Sequence, residues 1–410
     1  MKQDKEFYAI LKAEERFQRE TIRLIPSENF ASNAVMQALG SVFTNKYSEG
    51  EPGKRYYQGN ANIDKVELLA IGRAKKLFHL DDSWHVNVKA ISAAIANFCV
   101  LNALLEPGQK IMAMNLPDGG HLSHGWDYQG KKVTIGSKMF TTVRYRVDEK
   151  TEVFDYDTIG EMAVKEKPQL IISGGTAYAR EINYKRMGQI AKKVGAYYMA
   201  DIAHEAGLVG AEVLSSPFPH ADVVTMSTQK TLRGPRASII CCKQELANAI
   251  DRAIFPGLQG GPFDNNIAAL AVALKEAQSA DFKKYAFQTV TNAKAFAKAL
   301  KGFGFDVVSG GTDKHLVLLD LRNKGMDGDS AAKLLERAHI ITNKNTVPYD
   351  TGSPMKPSGL RVGTPAMTTR GFKEKDFEKV AEFIDDVITQ KTHPELIKRA
   401  VLMMLKKFNN

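Results

Sequence analysis

The chain is 410 residues long, 44% hydrophobic and 25% charged, with a formal net charge of +10. That length buries a large core and divides into more than one domain, and the composition is that of an ordinary globular protein. No apolar run approaches the roughly 20 residues of a bilayer span, and the N-terminal stretch "MKQDKEFYAILKAEERFQRE" has no apolar signal core, so a cytoplasmic protein is expected. The basic excess comes from scattered lysines, without zinc-ligand spacing or an RNA-binding signature, so neither a metal nor a nucleic-acid partner is expected. Cys99, Cys241 and Cys242 lie in apolar runs and read as buried thiols rather than a disulfide framework.

In chain order, an amphipathic helix opens the sequence, and Ser27 in "LIPSENF" is a candidate helix-initiating residue. "NKYSEGEPGKRYYQGN" is polar and rich in Gly and Tyr, a long loop of the kind that carries function. Ser92-Ala93-Ala94 opens a helix, "AIANFCVLNALL", whose N-terminal amides suit an anion. The apolar runs "KIMAMN", "QLIISGG", "AYYMAD" and "DVVTMST" read as buried strands. "NYKRMGQIAKKVG" between two of them has helical periodicity and Gly195 as its stop. This alternation predicts an α/β chain with a mostly parallel sheet and ligands at the carboxyl ends of its strands. One helix near 263–300 leads into a smaller α+β part with a strand at "HLVLLDL" and helices at "GDSAAKLLERAH" and "FKEKDFEKVAEFIDDVITQ". The expected division is an N-terminal helical arm over 1–40, a large domain over 41–280 and a small C-terminal domain over 281–410.

Two strand ends carry the chemistry. Asp201 ends "AYYMAD", where a helix N-cap is the first reading. Lys230 follows "DVVTMST" in "STQKTLRGPR". Together they meet the demands of pyridoxal phosphate, which needs a lysine for a Schiff base and an acid to keep its pyridinium nitrogen protonated. His121 in "DGGHLSHG" could stack on such a ring, and Arg361 in "SGLRVGTPA" could grip a substrate carboxylate through two parallel bonds.

Ten segments in order, "PSENF", "NKYSEGEPGKRYYQGN", "ALLEPGQKIMAMNL", "GGHLSHG", "DIAHEAGLV", "KTLRGPR", "FPGLQGGP", "VSGGTDKHL", "NKNTVP" and "SGLRVGTPA", resemble the serine hydroxymethyltransferase family over nearly the whole chain. The resemblance implies a pyridoxal-phosphate-dependent transferase of fold type I, with a mostly parallel sheet in the large domain and a smaller α+β C-terminal domain. It implies that Lys230 carries the cofactor as a Schiff base, that Asp201 pairs with the ring nitrogen, that His121 stacks on the ring and that His204 lies beside the ring hydroxyl. Ser92, Ala93 and Ala94 match the phosphate cup, and Gly261 a glycine offered to the phosphate from a partner subunit. Tyr47 and Glu49 match residues that cross a dimer interface, Glu49 being the acid–base group, and Tyr57 matches a further active-site tyrosine. Ser27 and Arg361 match groups that hold the amino-acid carboxylate. Leu116, Leu122 and Asn345 match folate-contacting positions, with Gly119 and Gly120 beside them. The implied reaction is reversible transfer of the serine hydroxymethyl carbon to tetrahydrofolate, giving glycine and 5,10-methylenetetrahydrofolate, in a cytoplasmic homodimer.

Several positions depart from the family's pattern. Ser-Gly-Ser at the phosphate cup is Ser92-Ala93-Ala94, a Pro-His upstream is Ala90-Ile91, the histidine before the lysine is Gln229, glycines after "GPR" are Ala237-Ser238, and a histidine in the "PDGGH" stretch is Asp118. A lost hydrogen bond to a charged oxygen weakens binding by about 1.5–3 kcal/mol. These departures leave two alternatives in view: a folate-independent threonine aldolase or transaldolase, and a non-catalytic paralogue acting as a scaffold or RNA binder.

Overall fold

A computed structural model describes residues 4–408. The chain divides into two compact units, one running from Asn29 to Phe287, the other joining the residues up to Glu28 with those from Gln288 onward. The first forty residues are therefore split between the units rather than standing as an arm of their own.

The Asn29–Phe287 unit is built on seven strands: β1 (Trp84–Asn87), β2 (Lys110–Met114), β3 (Thr141–Tyr145), β4 (Leu170–Ser173), β5 (Tyr197–Asp201), β6 (Val223–Ser227) and β7 (Ser238–Lys243), in the spatial order β1-β7-β6-β5-β4-β2-β3. Neighbours from β6 to β3 run parallel, and β7 is antiparallel to both β6 and β1. β4 and β6 are buried at every position, which is why they read as continuous apolar runs rather than alternating ones. Helices fill the crossovers. α1 (Ala61–Leu77) precedes β1, and the crossovers include α2 (Ala93–Leu104) and α3 (Tyr184–Val194). In α3, Tyr184, Met187, Ile190 and Ala191 form the buried stripe, and Gly195 ends the helix at φ +69°. α2 is apolar nearly all round because it lies in the core, where Ala96, Cys99, Val100 and Leu101 meet Ile111, Leu170, Ile172, Met199, Val223 and Ile240. Burying each large aliphatic side chain is worth about 1.5–3 kcal/mol. All three cysteines are buried and free, and burial pushes the Cys99 and Cys242 thiols up to about 12. The single helix expected near 263–300 is two, α4 (Asp264–Ala277) and Ala280–Gly302, broken at Gln278-Ser279.

The other unit holds an antiparallel sheet in the order β8-β9-β11-β10, from β8 (Asp306–Val307), β9 (Leu316–Asp320), β10 (Asn343–Asn345) and β11 (Gly359–Gly363). Helices α5 (Gly328–Arg337) and α6 (Glu374–Ile388) supply Leu335, Phe377, Val380 and Ile384 to a core shared with Leu319, Leu360 and Val362. Ile22-Arg23 adds a short parallel pairing with Ile340-Ile341. Ser27 starts no helix. It lies in a turn with Pro26, and the helix Asn33–Leu39 is capped by Ser32, whose Oγ accepts from Val35 N at 3.2 Å.

Candidate active site

At the carboxyl end of β5, Asp201 is not a helix cap but the hub of a buried network. Its Oδ2 accepts from His124 Nε2 at 2.9 Å and Asn97 Nδ2 at 2.7 Å, and its Oδ1 accepts from Ala203 N at 2.9 Å. Thr225 Oγ1, one strand over, donates to Asn97 Oδ1 at 2.6 Å and fixes the amide's orientation. Burial alone would raise the Asp201 carboxyl. The bond and charge of His124, the nearby His121 and the Asn97 amide outweigh it and hold the group well below the usual carboxylate range. A carboxylate offers about four lone-pair sites, and three are taken, which leaves one for a further cationic N–H. His121 accepts from Ser123 N on Nδ1 at 3.2 Å, with Ser123 Oγ 2.6 Å away, so a neutral ring carries its proton on Nε2. His121, His124 and Asp201 bring two nitrogens and a carboxylate oxygen within 4.8 Å of one another.

β6 runs parallel to β5 with Thr225 opposite Asp201, so the segment after Ser227 emerges at the same edge. That segment is tightly tied. Thr231 Oγ1 donates to His204 O at 2.8 Å and accepts from Gly207 N at 3.0 Å, Thr228 Oγ1 donates to Pro235 O at 2.6 Å, and Asn29 Nδ2 donates to Lys230 O at 3.0 Å. Arg233 takes φ +60° and stacks its guanidinium over Tyr285 at 4.3 Å. Lys230 is buried on this loop, and His204 is buried with Nε2 3.4 Å from Thr176 Oγ1. Ser92 caps α2, and the first amides of that helix, on Ala93 and Ala94, have no intrahelical partner. Gln259 braces the approach, its Oε1 accepting from Ile91 N at 3.0 Å and its Nε2 donating to Lys89 O at 2.9 Å.

Tyr47, Glu49, Tyr57 and Gly261 form a second cluster in this unit. Tyr47 and Tyr57 meet edge to face at 5.4 Å. The charge of the Glu49 carboxylate pushes the Tyr57 phenol up. A side chain on Gly261 would come within 3.2 Å of the Tyr47 ring, and one on Gly260 within 3.2 Å of Glu49 Oε1. Ser48, between the two, donates to the buried Asp264 at 2.6 Å, and Arg55 donates to Ser48 O at 3.1 Å, so the segment is held on both sides.

The turn Asn115–Gly120 follows β2. Leu116 and Gly119 lie on it, Gly120 closes it through a bond from its amide to Asn115 O at 3.0 Å, and Leu122 follows, exposed. Asp118 does not project its charge toward the Asp201 network. Arg146 Nε and a terminal nitrogen clasp its oxygens at 2.9 and 2.7 Å.

In the other unit, Arg361 is central in β11, buried, with Nε 3.3 Å from Asn343 Oδ1. Burial draws its guanidinium down to about 10, still cationic at neutral pH. Pro26, beside Ser27, packs against Gly363 two residues further on. Asn345 ends β10 and donates to Thr346 O at 2.6 Å.

The family model for serine hydroxymethyltransferase matches residues 1–384. The chain belongs to the serine hydroxymethyltransferase family. Two curated relatives agree. A mitochondrial serine hydroxymethyltransferase of Candida glabrata is 48% identical over 402 residues, covering 94% of this chain and 83% of that protein. A Neurospora crassa protein that carries the same name provisionally is 48% identical over 407 residues, covering 94% of this chain and 74% of its own length. The family and transferase class expected from the sequence are thereby shown. The expected cytoplasmic location is not, since both relatives are named as mitochondrial proteins, and that finding overturns it.

For this serine hydroxymethyltransferase family member, sequence reasoning did not single out His124, Asn97, Thr225 or Gln259. His124 stands three residues after His121 in "GGHLSHG", and Asn97 is the one strongly polar residue in the first two turns of a mostly apolar helix. Either oddity was a usable signal.

Proposed function

We propose that this chain catalyses reversible transfer of the serine hydroxymethyl carbon to tetrahydrofolate, yielding glycine and 5,10-methylenetetrahydrofolate, on a pyridoxal phosphate enzyme of fold type I. The observation that carries the reading is an ionised Asp201, braced by His124 and Asn97, on the strand beside the one that delivers Lys230. The residues present fit the cofactor: Lys230 for its aldehyde, the remaining Asp201 lone pair for its ring nitrogen, His121 and His204 for its ring, and the α2 amides with Ser92 for its phosphate. When bound, pyridoxal phosphate supplies the electron sink for the bond broken at the substrate α-carbon.

Around it the chain's own groups divide the work. Arg361 and Ser27 hold the amino-acid carboxylate, a task for a planar cationic fork. Glu49, whose charge acts on Tyr57, moves the proton at the serine hydroxyl. Leu116, Leu122 and Asn345 receive the folate, with Gly119 and Gly120 leaving room. Tyr47, Glu49, Tyr57 and Gly261 lie in one cluster, so they reach a partner's site together if the chain works as a homodimer. Exposed Tyr47, Tyr56 and Phe263 nearby are the kind of aromatic surface such an interface covers. The aldolase alternative loses one of its grounds, because Arg146 neutralises Asp118.

Titrating the purified protein with pyridoxal phosphate is the direct test. A saturable visible absorption band, abolished in Lys230→Ala, and folate-dependent cleavage of serine are expected. Threonine cleavage that outpaces serine and ignores folate would replace this reading with the aldolase.

A further inference from the structure

Asp118 is the only charged residue of the Asn115–Gly120 turn, and its side chain is completely enclosed, with 0% exposed. Removing a carboxylate from water is expensive unless a cation and good hydrogen bonds meet it. Here Arg146 meets it with two parallel bonds, and Asn115 Nδ2 adds a third at 3.1 Å. The turn has no slack. Gly119 sits at φ +118° and its carbonyl accepts from Thr176 N at 2.7 Å, while a side chain on Gly120 would lie 2.4 Å from Met114 O.

Arg146 directly follows β3, whose Tyr145 pairs with Met114 at the end of β2. The clasp therefore reaches from an edge strand to the turn that leaves its neighbour. Two residues earlier, Arg144 on the same strand donates to His124 O at 3.0 Å and to Gly125 O. The segment from Asn115 to Gly125 is thus pinned at two places by two arginines, one on β3 and one directly after it. The pin at Arg144, with Asp201 on His124 and Ser123 on His121, secures the histidines. The pin at Arg146 secures the turn before them.

We propose that Arg146, acting through Asp118, is a positioning residue for folate: it holds Leu116, Gly119 and Gly120 in place without touching the cofactor or the amino acid. The proposal rests on the folate reading above, and it treats Asp118 as half of a clasp rather than as a stray charge.

The test uses the full-length holoenzyme with Arg146→Met, Arg146→Lys and the double variant Asp118→Asn/Arg146→Met. KM for tetrahydrofolate and for serine are measured, with the equilibrium affinity for 5-formyltetrahydrofolate as a probe free of turnover. Arg146→Met is expected to raise the tetrahydrofolate KM and the probe's Kd by about tenfold or more, since small misplacements of a binding segment are amplified. The serine KM and the cofactor band stay unchanged. Arg146→Lys recovers part of the loss, keeping the charge but not the fork. The neutral double variant binds folate better than Arg146→Met alone, because no carboxylate is left buried without a cation. Folate and serine KM rising together, a fall in Tm with folate affinity intact, or a double variant no better than the single would each overturn the proposal. Wild-type protein that neither binds the probe nor uses folate would overturn the functional reading and this inference with it. An active wild type with indifferent Arg146 variants would overturn the inference alone.

Discussion

At the residue scale, departures from the family's pattern meet structural partners. Asp118 has Arg146. Ser238, where the family has glycine, donates through Oγ to the buried carbonyl of Ala90, itself a departure, at 2.7 Å. Such pairs were illegible in the sequence, since Asp118 and Arg146 meet only through the β2–β3 register, and Ser238 meets Ala90 only because the chain leaves β1 beside the start of β7. Asp201 offers a test at the same scale. Its folded carboxyl lies below the ordinary 3.8, so it contributes stability that is full above pH 3.8 and is lost as pH falls toward the folded value. In cofactor-free protein, Asp201→Asn is expected to lower Tm at pH 6, and the gap from wild type should narrow steadily below about pH 4. A gap independent of pH would mean that the His124 and Asn97 bonds do not favour the charged form.

At the scale of elements, the loop that carries Lys230 is shaped by the short helix Ala206–Gly210. A side chain on Gly207 would lie 2.3 Å from the Thr231 carbonyl oxygen, a backbone atom with nowhere to go. Gly207→Ala is expected to destabilise the protein by about 1–3 kcal/mol in urea denaturation and to weaken pyridoxal phosphate capture, because Lys230 sits one residue before the displaced carbonyl. Unchanged cofactor affinity would show that the loop relaxes freely. The strands of this unit were legible because a sheet buried on both faces leaves continuous apolar runs, as in "LIIS" and "VVTMS". Less legible were helix limits set by single side chains. Ser27 and Ser32 are both plausible caps by residue type, and only Ser32 has an amide, that of Val35, in reach. Nothing in the apolar spacing marks the break at Gln278-Ser279, because α4 and the helix after it are both periodic.

At the scale of the whole molecule, the proposed sharing of sites between subunits is open to complementation. Glu49→Gln and Lys230→Ala proteins are each expected to be inactive, and mixing them under conditions of confirmed subunit exchange should restore up to about a quarter of wild-type activity, the share expected if half of the dimers are mixed and each holds one intact site. No recovery in exchanged heterodimers would place Glu49 in its own subunit's site. The domain division resisted reading from sequence for a related reason: proximity along the chain is a poor guide to which segments share a core.

Ile22-Arg23 lies near the start of the chain, yet its strand partner is Ile340-Ile341. During synthesis the Asn29–Phe287 unit, with its own core, emerges complete while the N-terminal segment still lacks the strand it joins. That segment must wait on the ribosome until a strand about 318 residues further on has been made, and loop closure over such a separation is slow. The order of vectorial folding is thus written into one two-residue pairing, which makes Ile340-Ile341 the strand whose delay or loss leaves Ile22-Arg23 without a home.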